Sequence, residues 1–210
     1  MKESLNGPRP FLSGLPTVPA ARAALPVLGE FDVVVVGGGT AGAPSGIGAG
    51  RQGAKTLLIE QLYGLGGVGT LGMIGKYWYG NACGFTAEHD KGVEALGAAV
   101  HVVGKAEWWR RENRKAGTEI WLGALGCGAL VKDGRVTGVV VATPGGRGVV
   151  LAKSVVDATG NAEVAAAAGA PCVFVGADEI AVQGVGLSPR QLGASYINSD
   201  FGYANDCDAG

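Results

Sequence analysis

The chain is poor in the residues from which most catalytic and metal-binding signatures are built. Its 210 residues include two histidines and four cysteines. Cys83, Cys127, Cys172 and Cys207 are scattered, and no two stand at CxxC spacing. A zinc site or a redox dithiol draws on paired spacing, so neither is expected and no metal site is assigned. His89 lies between Glu88 and Asp90. Without a second pair of ligands it reads as the solvated start of a helix, and His101 as structural. Unpaired thiols suit a reducing compartment, so a cytoplasmic location is expected. No apolar run reaches the ~18 to 20 residues of a membrane span, so no membrane is expected as a partner. The net charge of -1 leaves no surplus of Lys and Arg for nucleic acid. Pro8, Pro10, Pro16, Pro19 and Pro26 break up any leader-like apolar stretch, and residues 1–29 read as a flexible arm.

Glycine, by contrast, is in excess. There are 39 glycines, against a usual level of roughly 7%. They follow no Gly-X-Y period, which excludes collagen. They sit between apolar runs in a chain that is 47% hydrophobic, as tight turns between buried strands would.

Asp32 to Val36 is a valine run without alternation, the pattern of a strand buried on both faces of a parallel sheet. A glycine turn follows over 37–42, then a helix over 40–53 ending at Gly53. Lys55 to Glu60 reads as a second buried strand, completing a βαβ unit. Residues 61–86 read as loop. Val93, Leu96, Val100 and Val103 predict a helix over 88–103, and residues 106–115 a second, amphipathic one carrying the i,i+4 pair Glu107 and Arg111. A short strand spans 119–122. The period then changes. Three strands over 128–132, 135–142 and 147–152 are joined by Asp133-Gly134 and by Pro144-Gly145-Gly146, giving an antiparallel meander over 126–152. Residues 154–158 form another buried strand leading into Thr159-Gly160-Asn161, with Asn161 expected to cap the helix over 162–168.

The spacing of the glycines carries the chemistry. Gly37-x-Gly39-x-x-Gly42 lies between a strand and a helix. There the first glycine permits the tight turn, the second lets a pyrophosphate approach the backbone, and the third lets helix and strand pack closely. The phosphates would lie at the helix N-terminus, with Gly38, Thr40 and Ala41 in the same turn. Glu60, at the end of the second strand, suits the two hydroxyls of an adenosine ribose and disfavours a 2′-phosphate. Gly66-Gly67 then returns bare backbone toward the same phosphates.

The whole string, GxGxxG-x17-E-x5-GG, resembles the FAD-binding signature of the glutathione-reductase-fold flavoproteins. The strand Val155 to Gly160 (VVDATG) and the meander agree with that resemblance, which spans roughly residues 31–165. The stretches GGVGTLGMIGKYWYGN and VVDATGNAEVAAAAG are similar to the family of FAD-dependent oxidoreductases. The resemblance implies an α/β fold: a Rossmann-like FAD-binding parallel sheet over residues 30–172 with an inserted three-stranded antiparallel meander. It implies FAD as cofactor, a small organic molecule as substrate, and Thr159 and Gly160 as part of the cofactor site. Relatives are usually longer, so 173–210 reads as a tail or the start of an incomplete substrate domain, and the chain as a partial one.

Flavin carries the redox chemistry, so no catalytic side chain is assigned. Lys76 to Asn81 is expected to lie toward the flavin ring, and Thr70 to bond a phosphate or ribityl oxygen. Asp157 is expected to organise the turn at Thr159-Gly160. Arg110, Arg111, Arg114 and Lys115 read as a solvated basic face. Two other readings stay open: an NAD-binding module without flavin, and a non-catalytic fragment that holds a nucleotide. Oligomeric state is not legible.

Overall fold

One sheet joins parallel and antiparallel strands. The computed structural model describes residues 2–4, 24–75 and 83–173. The chain divides into two units, Met1–Cys172 and Val173–Gly210. All elements named here belong to the first. They are β1 (Lys2–Ser4), β2 (Val27–Val36), α1 (Gly42–Arg51), β3 (Thr56–Glu60), α2 (Gly84–Ala95), α3 (His101–Lys115), β4 (Glu119–Leu122), β5 (Leu125–Lys132), β6 (Arg135–Thr143), β7 (Gly146–Asp157) and α4 (Glu163–Ala167). The sheet runs β1-β5-β6-β7-β2-β3-β4. Strands β7, β2, β3 and β4 are mutually parallel, whereas β1, β5, β6 and β7 pair antiparallel.

The valine run behaves as its pattern requires. Val33 to Val36 pair with Thr56 to Ile59 on one side and Ser154 to Asp157 on the other. Val34, Val36, Leu57 and Ile59 point to one face, under Val164 of α4. Val35 and Leu58 point to the other, where Ala43 and Ile47 of α1 and Trp108 and Trp109 of α3 cover them. With no solvent face, alternation has no function.

The glycines inside α1 answer to packing. A Cβ on Gly46 would stand 2.3 Å from Asn113 Oδ1, and one on Gly50 would stand 2.5 Å from the carbonyl of Ala116. Bare backbone therefore lets α3 lie close against α1. Asn113 Nδ2 donates to the Ala43 carbonyl at 3.0 Å, and Thr118 Oγ1 to that of Gly46 at 2.8 Å. These contacts offset the low helix propensity of glycine.

The structure corrects several expectations. The third meander strand and the strand ending in Ala-Thr-Gly are one: β7 pairs antiparallel with β6 over Gly146–Leu151 and continues in parallel beside β2 to Asp157. The polar Lys153-Ser154 step reads as a break in sequence but lies on an exposed stretch of an unbroken strand. The helix expected over 88–103 divides, because Gly97 takes φ +58° and stops α2, and α3 starts at His101. Residues 1–29 are not wholly a loose arm. Lys2–Ser4 pairs with Ala129–Val131, covering part of an edge that would otherwise expose unpaired backbone groups, and β2 begins at Val27. The basic face of α3, by contrast, faces solvent as expected and carries the expected Glu107–Arg111 pair. Arg110 and Arg111 both bond Glu107 at 2.6 Å and hold its carboxyl down at about 2.

Candidate functional site

A cleft of about 800 Å³ opens at the carboxyl ends of β2, β3 and β7. From β2 the chain passes through α1 to β3 on one side, while β7 flanks it on the other. Such a reversal of strand order leaves a crevice where ligands of open α/β sheets sit. Of the residues singled out by spacing, Gly37, Gly39, Thr40 and Ala41 line it, as do Glu60, Gly67, Thr159 and Gly160. Gly38, Gly42, Gly66 and Thr70 stand behind the wall.

The glycines are needed for different reasons. Gly37 takes φ +94°, donates its N–H to the Ile59 carbonyl at 2.8 Å, and would drive a Cβ to 2.4 Å from the Ala158 carbonyl. A Cβ on Gly42 would stand 1.6 Å from the Gly37 carbonyl, so only glycine lets α1 start this close to β2. Gly39 differs. Among the described residues its Cβ would meet nothing nearer than Gly67 Cα at 3.8 Å, and its φ is outside the left-handed region. The protein itself does not require glycine there, which leaves the cleft side open to a ligand. Ala43 N–H already donates to the Gly39 carbonyl at 3.0 Å and Ser45 N–H to that of Ala41 at 3.2 Å, and Pro44 has none, so the N–H groups offered to a ligand would be those of the turn just ahead of α1; no acidic side chain occupies the first turn of α1. The local field favours an anion.

The Gly66-Gly67 pair closes over this turn. Gly66 N–H donates to the Gly38 carbonyl at 2.8 Å, and Thr40 Oγ1 donates to that of Gly66 at 3.4 Å. A Cβ on Gly67 would come within 2.9 Å of Gly39 Cα. Glu60 is 6% exposed. Its Oε2 accepts from Gly38 N–H at 2.7 Å and its Oε1 from Leu62 N–H at 2.8 Å. A carboxylate oxygen accepts more than one hydrogen bond, so the group is fixed in place and retains acceptor capacity toward the cleft.

On the opposite wall, Asp157 organises the turn as expected. Its Oδ1 accepts from the hydroxyl and N–H of Thr159 at 2.7 and 3.2 Å, and its Oδ2 from Ala165 N–H at 2.8 Å. The Thr159 hydroxyl accepts in turn from Glu163 N–H at 3.0 Å. Thr159 and Asp157 thus satisfy the start of α4, in place of the expected cap Asn161. The N-cap position falls to Ala162, with φ +54°. Gly160, at φ +87°, leaves this wall without a side chain.

Thr70 departs from its expected place. It is 2% exposed, and its hydroxyl donates to the carbonyls of Leu65, at 2.7 Å, and Gly67, at 3.3 Å. It braces the glycine loop from within. His89 is not solvated but 1% exposed, stacked on Trp109 at 4.6 Å, with Nδ1 at 2.8 Å from Asp90. Burial lowers its pKa, against the pull of Asp90. The stretch Lys76 to Asn81 lies outside the described residues. Sequence reasoning missed Lys105. It is 4% exposed, donates to the Gly75 carbonyl at 3.2 Å, and burial lowers its pKa. With Thr40, Gly66 and Trp109 it lines a side pocket of about 150 Å³. The i,i+4 series Lys105, Trp109, Asn113, all buried, was the available signal. Among the described residues no group of His, Cys, Asp and Glu is placed to hold a metal ion.

The model of the family described as FAD dependent oxidoreductase matches residues 32–190, well over half of the chain. The chain belongs to the FAD dependent oxidoreductase family. FAD is the cofactor of this family, and the glycine cradle and buried acid suit its diphosphate and adenosine ribose. No curated protein sequence matches the chain. Among solved structures, it is similar to a geranylgeranyl bacteriochlorophyll reductase-like protein from Thermoplasma acidophilum, at 22% identity and TM-score 0.54, over 70% of this chain and 44% of that one. It is also similar to THI4 of Thermovibrio ammonificans, at 22% identity and TM-score 0.49, over 66% of this chain and 61% of that one. The first of these likenesses shows a shared fold. The chain thus spans under two thirds of the length of either neighbour.

Proposed function

We propose that this chain binds FAD in the cleft above β2, β3 and β7, and that the flavin exchanges a hydride or electrons with a small organic substrate. The observation that carries the reading is Gly39. Among the described residues a Cβ there would meet nothing nearer than Gly67 Cα at 3.8 Å, at a helix N-terminus, with a fixed carboxylate at the end of the next strand. The diphosphate would lie along Gly39 to Ala41, the adenosine ribose against Glu60, and the ribityl chain toward Gly67. Gly160 would let the diphosphate approach from the β7 side. FAD when bound supplies the redox chemistry, and the residues of this chain supply position and field. Gly66, Thr70 and Gly38 act through the loop they hold, and Gly42 and Thr159 through the turns they set. Free thiols at Cys83 and Cys172 support a reducing, cytoplasmic setting. Among the described residues no helix is long and apolar enough to cross a membrane.

Titration calorimetry with FAD, NAD and ADP tests the reading. FAD binding more tightly than NAD and ADP supports it. Preference for NAD would replace it with a nicotinamide-binding module, and binding of ADP as tight as FAD would mean that only the adenosine half is held.

A further inference from the structure

Asn113 of α3 is fully buried and leaves one polar atom unmatched. Its Nδ2 donates to the carbonyls of Ala43, at 3.0 Å, and of Trp109, at 2.9 Å. Both partners are acceptors, so the amide must turn its NH2 toward them. Among the described residues its Oδ1 then meets no donor. A buried acceptor left unmatched costs stability, and an apolar side chain of the same size would avoid that cost. The use of an amide here therefore lies in its two donated bonds and where they lead. The first leads to the glycine turn: Ala43 accepts from Asn113 through its carbonyl and donates its N–H to the Gly39 carbonyl at 3.0 Å. The second leads to the glycine loop. Trp109 lies so close to it that a Cβ on Gly66 would stand 2.9 Å from Trp109 Cδ1, and Gly66 N–H donates to the Gly38 carbonyl at 2.8 Å. The carbonyls of Gly38 and Gly39 are thus both engaged. Across each trans peptide bond the following N–H, of Gly39 and of Thr40, points the opposite way. Asn113 itself fits because Gly46 has no side chain, since a Cβ there would stand 2.3 Å from its Oδ1.

We propose that Asn113 is a positioning residue for the diphosphate. It fixes the start of α1 against the glycine loop, and so sets the direction in which the N–H groups of Gly39 and Thr40 meet a phosphate. It does not line the cleft and acts through Ala43 and Trp109. The inference deepens the proposed function and rests on the cleft holding a diphosphate.

The test compares ADP with adenosine, which lacks the phosphates, by titration calorimetry. It uses the unmodified chain, Asn113→Ala, and the double variant Gly46→Ala/Asn113→Ala. In the double variant the new methyl group on residue 46 takes the space of Oδ1, so packing is restored without the donated bonds. Urea midpoints should fall in Asn113→Ala and recover in the double variant. The preference for ADP over adenosine should fall about tenfold or more in both. A loss of packing alone would lower both affinities together, or would return the preference along with the urea midpoint. Either result overturns the proposal, as does a preference that both variants keep. If Asn113→Ala does not fold, the double variant decides on the same ratio. An unmodified chain that binds ADP no more tightly than adenosine overturns the diphosphate placement and the inference with it, whereas a preference kept by the variants overturns the inference alone.

Discussion

Replacing Gly39 by alanine should weaken ligand binding and leave folding alone, whereas replacing Gly42 should destabilise the fold. At Gly39 the new methyl group enters open space, its nearest neighbour among the described residues 3.8 Å away, on a backbone conformation that any residue adopts. Stability should shift by no more than about 0.5 kcal/mol, or rise slightly because alanine restricts the unfolded chain. The same methyl occupies the position where the phosphates must meet the backbone. Overpacking costs of ~1 to 3 kcal/mol there weaken FAD by about tenfold to a hundredfold. At Gly42 the methyl would stand 1.6 Å from the Gly37 carbonyl. The first turn of α1 must retreat by roughly 1.5 Å or more to restore an ordinary contact. That costs ~3 kcal/mol or more out of a total near 5 to 15 kcal/mol. Urea denaturation followed by circular dichroism gives the stabilities, and quenching of FAD fluorescence gives the affinities. Equal destabilisation by the two substitutions, or unchanged FAD affinity in Gly39→Ala, would refute the separate roles assigned to these glycines.

Other consequences are equally direct. Glu60→Ala should weaken FAD by ~1 to 3 kcal/mol and leave FMN, which lacks the adenosine, at its original affinity; parallel titrations check this, and an equal loss for both ligands would move Glu60 away from the ribose. His89 is buried with its pKa lowered below the usual 6.5. A depressed folded pKa means that the unfolded chain takes up the proton first. Stability is therefore fully present above pH 6.5 and declines as pH falls below it toward the folded value. His89→Phe keeps the stack on Trp109 and should flatten the pH dependence of urea midpoints in that window; an unchanged slope would exclude His89 as its source.

Much of the site was legible because its residues are constrained by spacing along the chain. Gly37, Gly39, Gly42 and Glu60 fall within one βαβ unit, where turn and strand geometry leave few alternatives, and Gly66 follows Glu60 by a short loop. The unalternating valines of β2 likewise reveal a strand covered on both faces. What was not legible depended on partners far along the chain. The meander strand and the Ala-Thr-Gly strand merge because β7 must pair with β6 and β2 in succession, and no local pattern across Lys153-Ser154 expresses that. His89 looks solvated between two acids, yet it is buried by Trp108 and Trp109 from the next helix. Lys105 is masked by the four basic residues that follow it in α3, and only its position beneath the glycine loop sets it apart. Thr159 lines the cleft, and its hydroxyl also serves Asp157 and Glu163, a second role that no local pattern expresses.

The most direct test of the central claim is a visible absorption spectrum of the purified chain, desalted after incubation with excess FAD. The account predicts that a flavin band is retained by the unmodified chain and lost in Gly39→Ala, while both remain folded by circular dichroism. A folded, colourless unmodified chain, or a Gly39→Ala variant that stays equally yellow, would contradict the placement of FAD on this glycine turn.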